Sequence, residues 1–406
     1  MRVDLAARDR FLSRLARRTS SGRYIPEIDG LRFVAIAGVF LFHIAILGKV
    51  LDGSWTIVQP FGVSGPIGSS HSDLLSRTVS QWTYGVQLFF VVSGFVLALP
   101  FIAWRVAGGS AVSTSRYFLR RVTRLEPPYL VAMTLLFVGA SIAAQHVGAG
   151  HYVASMLYLH QAVYGGPSTL DGVAWSLEVE IQFYLCVPLL AILFSQPDAL
   201  RRRATIVFVA LLAIVFQEYD FGRDPRMAAF LGNHLQFFLV GWLLADLYVI
   251  SWGSKPTPQR RWDLVSLVGW PLLVGGLMAS DRLRFGVVLG PWLLLALCVA
   301  ALRGPITTRM LRNPWITTIG GMCYSIYLLH YPILILAQHW TERLSGLSPG
   351  LALLGRAAIY APIVLVVSGV FFAMVERPCM DPRWPSRLLA WVRRSPRRLP
   401  RRAPAV

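Results

Sequence analysis

Long apolar runs separated by short, arginine-rich segments recur along the 406-residue chain. A helix of about 20 apolar residues can cross the hydrocarbon core of a membrane, so each run predicts a transmembrane helix. Ten runs are long enough, at 31–50, 83–103, 126–146, 174–195, 204–220, 227–250, 263–280, 285–302, 316–340 and 351–375. The expected fold class is therefore an all-α polytopic membrane protein with about ten transmembrane helices.

Lysine and arginine are concentrated in alternate segments between these runs. Of 39 such residues, 31 fall in 1–32, 104–125, 196–203, 251–262, 303–315 and 376–406. Cytoplasmic loops carry such an excess, which predicts a multi-pass membrane protein with both termini in the cytoplasm. The apolar stretch 151–164 is short, and a crossing there would invert every later loop. We expect it to be external or re-entrant.

Composition excludes several classes of protein. A hydrophobic fraction of 55% and a charged fraction of 15% are not those of a soluble domain. The net charge of +19 comes from the basic loops and tails, so we expect membrane lipids and no nucleic acid as partners. The four cysteines lie singly, without metal-ligand spacing, so no metal site is expected.

The predicted organisation has three parts. Residues 1–24 form a basic amphipathic cytoplasmic segment, residues 25–380 the transmembrane domain, and residues 381–406 a basic, disordered cytoplasmic tail. No further domain is expected after the last span.

Arg32 and His43 stand at the two ends of one apolar run, eleven residues apart. Eleven residues make nearly three helical turns, so both side chains lie on one face, separated by about 16 Å of rise. An ionisable group inside an apolar span is unfavourable by about 3 kcal/mol. The pair therefore indicates a functional site.

A second basic group precedes the third predicted span. Arg121 and Arg124 are three residues apart and would share one helical face. Guanidinium groups suit phosphate oxygens. Anchoring of the loop and contact with lipid head groups are the alternative roles.

Polar side chains also interrupt other apolar runs. Ser93, before a glycine, is either a nucleophile or a lining and packing residue. Glu178 and Glu180 are two residues apart, so only one is expected to face the interior. Tyr327 and His330 lie in the middle of the ninth run, where a histidine can also be a structural core group.

Six segments together resemble the membrane-bound acyltransferase family 3, which includes bacterial O-acyltransferases of O-antigen, exopolysaccharide, Nod factor and macrolide sugars. The resemblance runs from about Glu27 to Pro378. The segments are Arg32 with His43 (Arg-x10-His), Phe89–Gly94 (FFxxSG), Arg121–Arg124 (RxxR), Trp175–Tyr184 (WSL..E.QFY, which aligns Glu180), Tyr324–His330 and Glu376–Pro378. Gln87 and Glu126 depart from the family pattern, which often has Asp and an aromatic residue there.

This resemblance implies an O-acyltransferase of the bacterial cytoplasmic (inner) membrane that modifies cell-envelope polysaccharides or related glycosides. An acyl group, expected to be acetyl, would pass from cytoplasmic acyl-CoA to a hydroxyl of a carbohydrate, glycolipid or glycoside acceptor on the extracytoplasmic side. Acyl-CoA is a co-substrate, and no permanently bound cofactor is implied. His43 would be the general base and Glu180 would orient it. The other implied site residues are Arg32, Arg121 and Arg124 for the donor phosphates, and Ser93, Tyr327 and His330 for the substrate path.

Direct transfer is the preferred chemical path, and a covalent relay through His43 or Ser93 is the alternative. Two other classes share the helix count and the buried ionisable groups. One is a non-enzymatic transporter or lipid flippase of the cell envelope, and the other a regulatory or lipid-binding membrane protein. Release of free CoA in step with acylated product would distinguish the enzyme from the transporter, and the presence of both Arg32 and His43 argues against the regulatory protein.

Overall fold

The computed structural model describes most of the predicted transmembrane domain. Its described residues are 24–48, 81–144, 147–220, 224–274 and 285–381, with the shorter pieces Leu12, Leu15, Arg17, 56–58, 62–64, Leu75, 78–79 and 384–386. Most of the predicted segments 1–24 and 381–406 lies outside them.

Helices dominate the described residues. In chain order they are α1 (Pro26–Leu47), α2 (Tyr84–Arg105), α3 (Thr114–Ile142), α4 (Ala149–Met156), α5 (His160–Tyr164), α6 (Trp175–Leu190), α7 (Ala199–Asp220), α8 (Leu235–Asp246), α9 (Arg261–Val274), α10 (Phe285–Arg303), α11 (Pro305–Leu311), α12 (Pro314–Gly321), α13 (Cys323–Ala337), α14 (Pro349–Phe371) and α15 (Arg377–Cys379). Turns of 3₁₀-helix occupy Gln81–Thr83, Ala191–Ser195, Pro225–Ala229, Leu231–Asn233 and Gln338–Gly346, and π-helical turns occupy Leu247–Ser251 and Phe372–Glu376. Strands β1 (Thr56–Val58) and β2 (Gly62–Ser64) pair antiparallel after α1, with Thr56 opposite Ser64.

A helix overlaps each of the ten predicted spans, and the protein is a helical membrane protein. Five helical stretches among the described residues are long and apolar enough to cross a membrane, or seven if each of two bent pairs is counted as one span. Helices α4 and α5, of 8 and 5 residues, cover the stretch 151–164. Both are too short to cross a membrane.

The ninth predicted span, 316–340, is broken in the structure. Helix α12 ends at Gly321, and α13 leaves it at an angle of 71°. The Glu376 side chain accepts hydrogen bonds from the backbone N–H of Ser325 (3.1 Å) and from its hydroxyl (2.5 Å). A carboxylate there satisfies an N–H that the first turn of a helix leaves unpaired. Glu376 therefore stabilises the start of α13 from a distant part of the chain.

Helix α3 begins before the span predicted at 126–146. The Ser113 side chain accepts a hydrogen bond from Arg116 N and caps the helix, so Arg121 and Arg124 lie on the helix itself. Pro127 lies inside α3 and cannot donate to the Thr123 carbonyl. The indole N–H of Trp384 donates to that carbonyl at 2.8 Å, and thus part of the predicted tail packs on α3.

Helices α2 and α8 form the most extensive contact between helices. Gly94 and Gly241 lie where their backbones meet, since a Cβ at Gly94 would overlap the Phe238 carbonyl and one at Gly241 the Val91 carbonyl. Glycine permits such a close approach of membrane helices. This crossing places Ser93 of α2 beside the interior of the bundle.

Helix α1 packs against α2, α12 and α13. A Cβ at Gly320 of α12 would overlap the Asp29 carbonyl of α1, so these backbones also touch. Glu27, which is buried, binds Arg312 at 2.6 Å. These contacts hold α1, which carries Arg32 and His43, at the centre of the site.

Apolar side chains cover the outer faces of α3, α7, α9 and α14. Examples that are more than half exposed are Leu135, Ile142, Phe208, Val215, Leu267, Leu354 and Val366. Large apolar side chains exposed along several helices indicate contact with lipid.

Candidate active site

A cavity of about 110 Å³ lies between α1, α2, α3, α6 and α13. We call it the arginine cavity, because Arg17, Arg32, Arg121 and Arg124 all line it. Ser93, Glu180 and Tyr327 line the same space. Residues from distant parts of the chain therefore converge on one strongly cationic pocket.

Asp29 holds two of these arginines. Its side chain is buried and accepts hydrogen bonds from Arg17 at 3.0 Å and from Arg32 at 2.6 Å. Asp29 precedes Arg32 by three residues and so lies on the same face of α1. One carboxylate for two guanidinium groups orients Arg32 and leaves net positive charge at this edge of the cavity.

Arg121 and Arg124 line the same cavity. Among the described residues, neither forms an ion pair with Asp or Glu within 4.0 Å. The Arg121 guanidinium lies over the rings of Tyr117 and Tyr184, at 5.7 and 5.8 Å from their centroids. Ring contact orients a guanidinium while leaving its N–H groups for an anion. The two side chains therefore suit a phosphate-bearing ligand.

Glu180 is the acceptor of a short hydrogen-bond network in this cavity. The Ser93 hydroxyl donates to Glu180 Oε1 at 2.5 Å, and the Tyr184 hydroxyl donates to the same oxygen at 2.6 Å. The Ser93 hydroxyl therefore already uses its only proton in a hydrogen bond to a carboxylate. A hydroxyl hydrogen-bonded in this way is not free to donate to a substrate oxyanion.

A second cavity, of about 170 Å³, lies on the other side of Tyr327, which lines both spaces. We call it the histidine cavity, since His43 lines it together with Gln87, Trp175, Tyr327 and Tyr331. Aromatic faces beside a few polar groups are typical of a small-molecule site.

His43 is partly exposed to this cavity and contacts two rings of α13. Its Nδ1 lies 3.2 Å from Nε2 of His330. Its ring also makes an edge contact with Tyr331, with centroids 5.0 Å apart. His330, in contrast, is completely buried. His43 is therefore the imidazole that a substrate in the cavity can reach.

Tyr327 lines both cavities. Its hydroxyl lies 2.7 Å from Ser176 Oγ and also donates to the Val173 carbonyl. Ser176 lines the arginine cavity, and Val173 lines the histidine cavity. The Tyr327 side chain therefore stands between the two spaces, bound to the start of α6.

Asp171 lies in the loop before α6, next to Gly172 and Val173 of the histidine cavity. It is 1% exposed, and its Oδ2 has no hydrogen-bond partner among the described residues. Burial raises the pKa of Asp171 to about 8, against a smaller opposing effect of the Val173 backbone N–H. This loop carboxyl is therefore largely protonated at neutral pH.

The family is decided by comparison with known proteins. A family model described as an acyltransferase domain, of the acyltransferase 3 type, matches residues 25–393. The chain belongs to acyltransferase family 3. It is 22% identical over 345 residues to the O-acetyltransferase OatA of Staphylococcus aureus, which covers 79% of this chain and 52% of that protein.

A second curated relative shows the same partial coverage. The peptidoglycan O-acetyltransferase OatA of Listeria monocytogenes is 23% identical over 390 residues, covering 88% of this chain and 56% of that protein. The chain thus spans about half the length of the curated relatives that it matches. No solved structure matches the chain.

Within this acyltransferase domain, the predicted site residues fall into two groups. The arginine cavity contains Arg32, Ser93, Arg121, Arg124, Glu180 and Tyr327, whereas His43 and His330 meet at the histidine cavity. Glu180 is hydrogen-bonded to Ser93, and the partner of His43 is His330. The structure therefore gives Glu180 and His43 different partners from the expected pairing of Glu180 with His43.

Three further residues were not among the predicted site residues. Asp29 could have been found from its i, i+3 spacing to Arg32, whereas Tyr184 near the end of an apolar run is also typical of the aromatic residues at a membrane surface. Asp171 lies in a loop whose sequence has no hydrophobic periodicity or motif that would mark it. Among the described residues, no group of three or more His, Cys, Asp or Glu side chains is placed to hold a metal ion.

Proposed function

We propose that this protein is a membrane O-acyltransferase that moves an acyl group from acyl-CoA to a hydroxyl of a carbohydrate acceptor. Acyl-CoA occupies the arginine cavity with its phosphates on Arg32, Arg121 and Arg124, and the acceptor hydroxyl enters the histidine cavity. The acyl group is acetyl, by analogy with the relatives named O-acetyltransferases.

The observation that carries the proposal is the placement of α1 between the two cavities. Arg32 lines one cavity and His43 the other, on a helix that is continuous over Pro26–Leu47. The rise between them is about 16 Å, which an extended phosphopantetheine arm can span. Arginines then bind the nucleotide end of the donor while the thioester approaches the imidazole.

The chemical step that follows is general-base catalysis by His43. The acceptor oxygen attacks the thioester carbonyl carbon as His43 takes the hydroxyl proton. Collapse of the tetrahedral intermediate breaks the C–S bond, and the imidazolium returns the proton to the departing thiolate. The products are the O-acyl ester and free CoA, with His43 neutral again.

Glu180 and Ser93 act at the donor end in this scheme. Their hydrogen bond of 2.5 Å lies in the cavity that Arg121 also lines, where the two side chains orient the thioester arm. Direct transfer is favoured over a relay through Ser93, because the proposed base for the acceptor lines the other cavity.

The proposed topology has ten spans and cytoplasmic termini in the bacterial inner membrane. It rests on the excess of Lys and Arg in alternate segments. The arginine cavity then faces the cytoplasm, where acyl-CoA is found, and the histidine cavity faces outward. A cell-envelope glycan is the proposed acceptor, since the Listeria relative is named a peptidoglycan O-acetyltransferase.

The test is transfer by the purified protein in lipid nanodiscs. Acetyl-CoA and a soluble glycan oligomer are supplied, and free CoA and ester product are measured together. We expect equal amounts of both from the wild type, and a rate reduced at least about 10²-fold in His43→Ala. His339→Ala, which changes an exposed histidine, is the matched control and should leave the rate unchanged.

Two results would contradict the proposal. A His43→Ala rate close to that of the wild type would remove the base from the mechanism. Translocation of a labelled glycan or lipid by the wild type, with no release of CoA, would show a transporter or flippase instead.

A further inference from the structure

His330 makes an unusually complete set of contacts for a buried histidine. Its Nδ1 lies 3.0 Å from the Ile326 carbonyl and 2.9 Å from the Tyr327 carbonyl, both on its own helix α13. Its Nε2 lies 3.2 Å from Nδ1 of His43. Both ring nitrogens are therefore within hydrogen-bond distance of a named partner.

The carbonyl contacts determine which nitrogen of His330 carries the proton. A carbonyl oxygen can only accept a hydrogen bond, so Nδ1 must be the N–H donor. His330 has no exposed surface, and among the described residues no carboxylate is hydrogen-bonded to it. A neutral ring is therefore expected, since an unpaired buried charge is strongly unfavourable. Its Nε2 then carries a lone pair.

The same reasoning extends to His43. Because His330 Nε2 can only accept, the hydrogen bond between the rings requires a proton on His43 Nδ1. The neutral His43 ring then has its lone pair on Nε2, the nitrogen not engaged by His330.

We infer that His330 is a positioning residue that fixes the tautomer and ring orientation of His43, making Nε2 of His43 the basic nitrogen. The inference rests on the proposed role of His43 as the base. When His43 Nε2 takes a proton, its Nδ1–H becomes the donor of a charge-assisted hydrogen bond to His330. In other acid–base pairs a carboxylate accepts the hydrogen bond that orients the histidine. Here the lone pair on Nε2 of the neutral His330 ring accepts it.

Two substitutions separate positioning from packing. His330→Gln keeps a carbonyl oxygen that can accept the His43 Nδ1–H, whereas His330→Leu keeps bulk and has no acceptor. We expect kcat to fall about 10²-fold in His330→Leu, with less than about a threefold change in the KM for acetyl-CoA. His330→Gln should recover at least about tenfold of that loss. Equal kcat in the Leu variant and the wild type would overturn the inference, as would equal losses in the Leu and Gln variants.

A spectroscopic measurement tests the tautomer even where a variant does not fold. The whole protein is labelled with ¹⁵N in its histidine rings and studied by NMR at neutral pH without substrates, and His43 is assigned from the His43→Ala spectrum. We expect a protonated Nδ1 and an unprotonated Nε2 for His43. The opposite tautomer, or protons on both nitrogens, would overturn the inference.

Failure of this inference is distinguishable from failure of the proposed function. The NMR measurement needs no substrate and reports the tautomer alone. The proposed function fails if His43→Ala still transfers the acyl group, whatever tautomer His43 adopts.

Discussion

The hydroxyl of Tyr327 lies 2.7 Å from that of Ser176, at the place where the arginine and histidine cavities meet. A donor arm that passes from one cavity to the other must displace this contact. If the donor binds as proposed, the same contact would separate its thioester from water entering the histidine cavity.

Tyr327→Phe removes the hydroxyl and keeps the ring. The variant loses the hydrogen bonds of this hydroxyl to Ser176 and to the Val173 carbonyl. Each contributes about 1 kcal/mol, so their loss would favour the open arrangement by at least about fivefold. We therefore expect acetyl-CoA hydrolysis without acceptor to rise at least about fivefold, measured as free CoA. Tyr324→Phe is the control. Tyr324 lines the arginine cavity but not the histidine cavity, and its hydroxyl donates to the Leu125 carbonyl. Unchanged hydrolysis in Tyr327→Phe would show that the contact is no barrier.

Arg121 and Arg124 are expected to bind the phosphates of the donor. Arg121→Gln or Arg124→Gln removes a charge-assisted hydrogen bond of about 1.5–3 kcal/mol, so the KM for acetyl-CoA should rise about 10- to 100-fold. The KM for the glycan should change much less. Arg120→Gln is the matched control, since Arg120 is exposed on the same helix and bonds the Arg116 carbonyl. A donor KM that is the same in all three variants would refute the phosphate site.

Asp171 is expected to make stability decrease with rising pH. Its pKa is about 8 in the folded protein and about 4 in an unfolded chain, so the native state retains a proton that the unfolded chain releases. The free energy of unfolding should therefore decrease from about pH 4 to about pH 8. Asp171→Asn should remove this dependence and be more stable than the wild type at pH 8.

Thermal unfolding in detergent across this pH range checks the prediction. Glu342→Gln, at an exposed carboxylate, should follow the wild-type profile. Profiles of Asp171→Asn and the wild type that run parallel from pH 4 to pH 8 would count against a buried neutral carboxyl.

The crossing of α2 and α8 is expected to tolerate no side chain at Gly94. An added Cβ would overlap the Phe238 carbonyl, and such overpacking lowers stability by about 1–3 kcal/mol. Gly94→Ala should therefore have a lower unfolding temperature. Gly139→Ala is the control, because nothing lies within 4 Å of a Cβ there, and it should be neutral or stabilise by about 0.5–1 kcal/mol. The reverse order of the two variants would contradict the close crossing.

Hydropathy predicted where the helices lie but not how they begin and bend. Helix α1 starts at Pro26, five residues before the predicted run, because Glu27 and Asp29 are buried by pairing with Arg312 and Arg17. The break between α12 and α13 depends on Glu376, which comes from another part of the chain. Such long-range contacts leave no trace in local periodicity.

The candidate site shows the same division between local and long-range information. Spacing was sufficient to place Arg32 and His43 on one face of a helix. The partners of Ser93 and His43 lie 87 and 287 positions away, respectively. Only the packing of the helices reveals which acceptor each of these side chains meets.

Some residues that contact each other are far apart in the sequence, and this affects when the site can form during translation. Helix α1 is made first, yet its polar residues Glu27 and His43 bind Arg312 and His330, which are made near the end. During insertion, Glu27 and His43 therefore lie in the translocon or among lipids before their final partners have been synthesised. Polar groups without partners are unfavourable there. A ribosome-bound chain that ends before α12 cannot form the site, so activity arises only once nearly the whole domain has been translated.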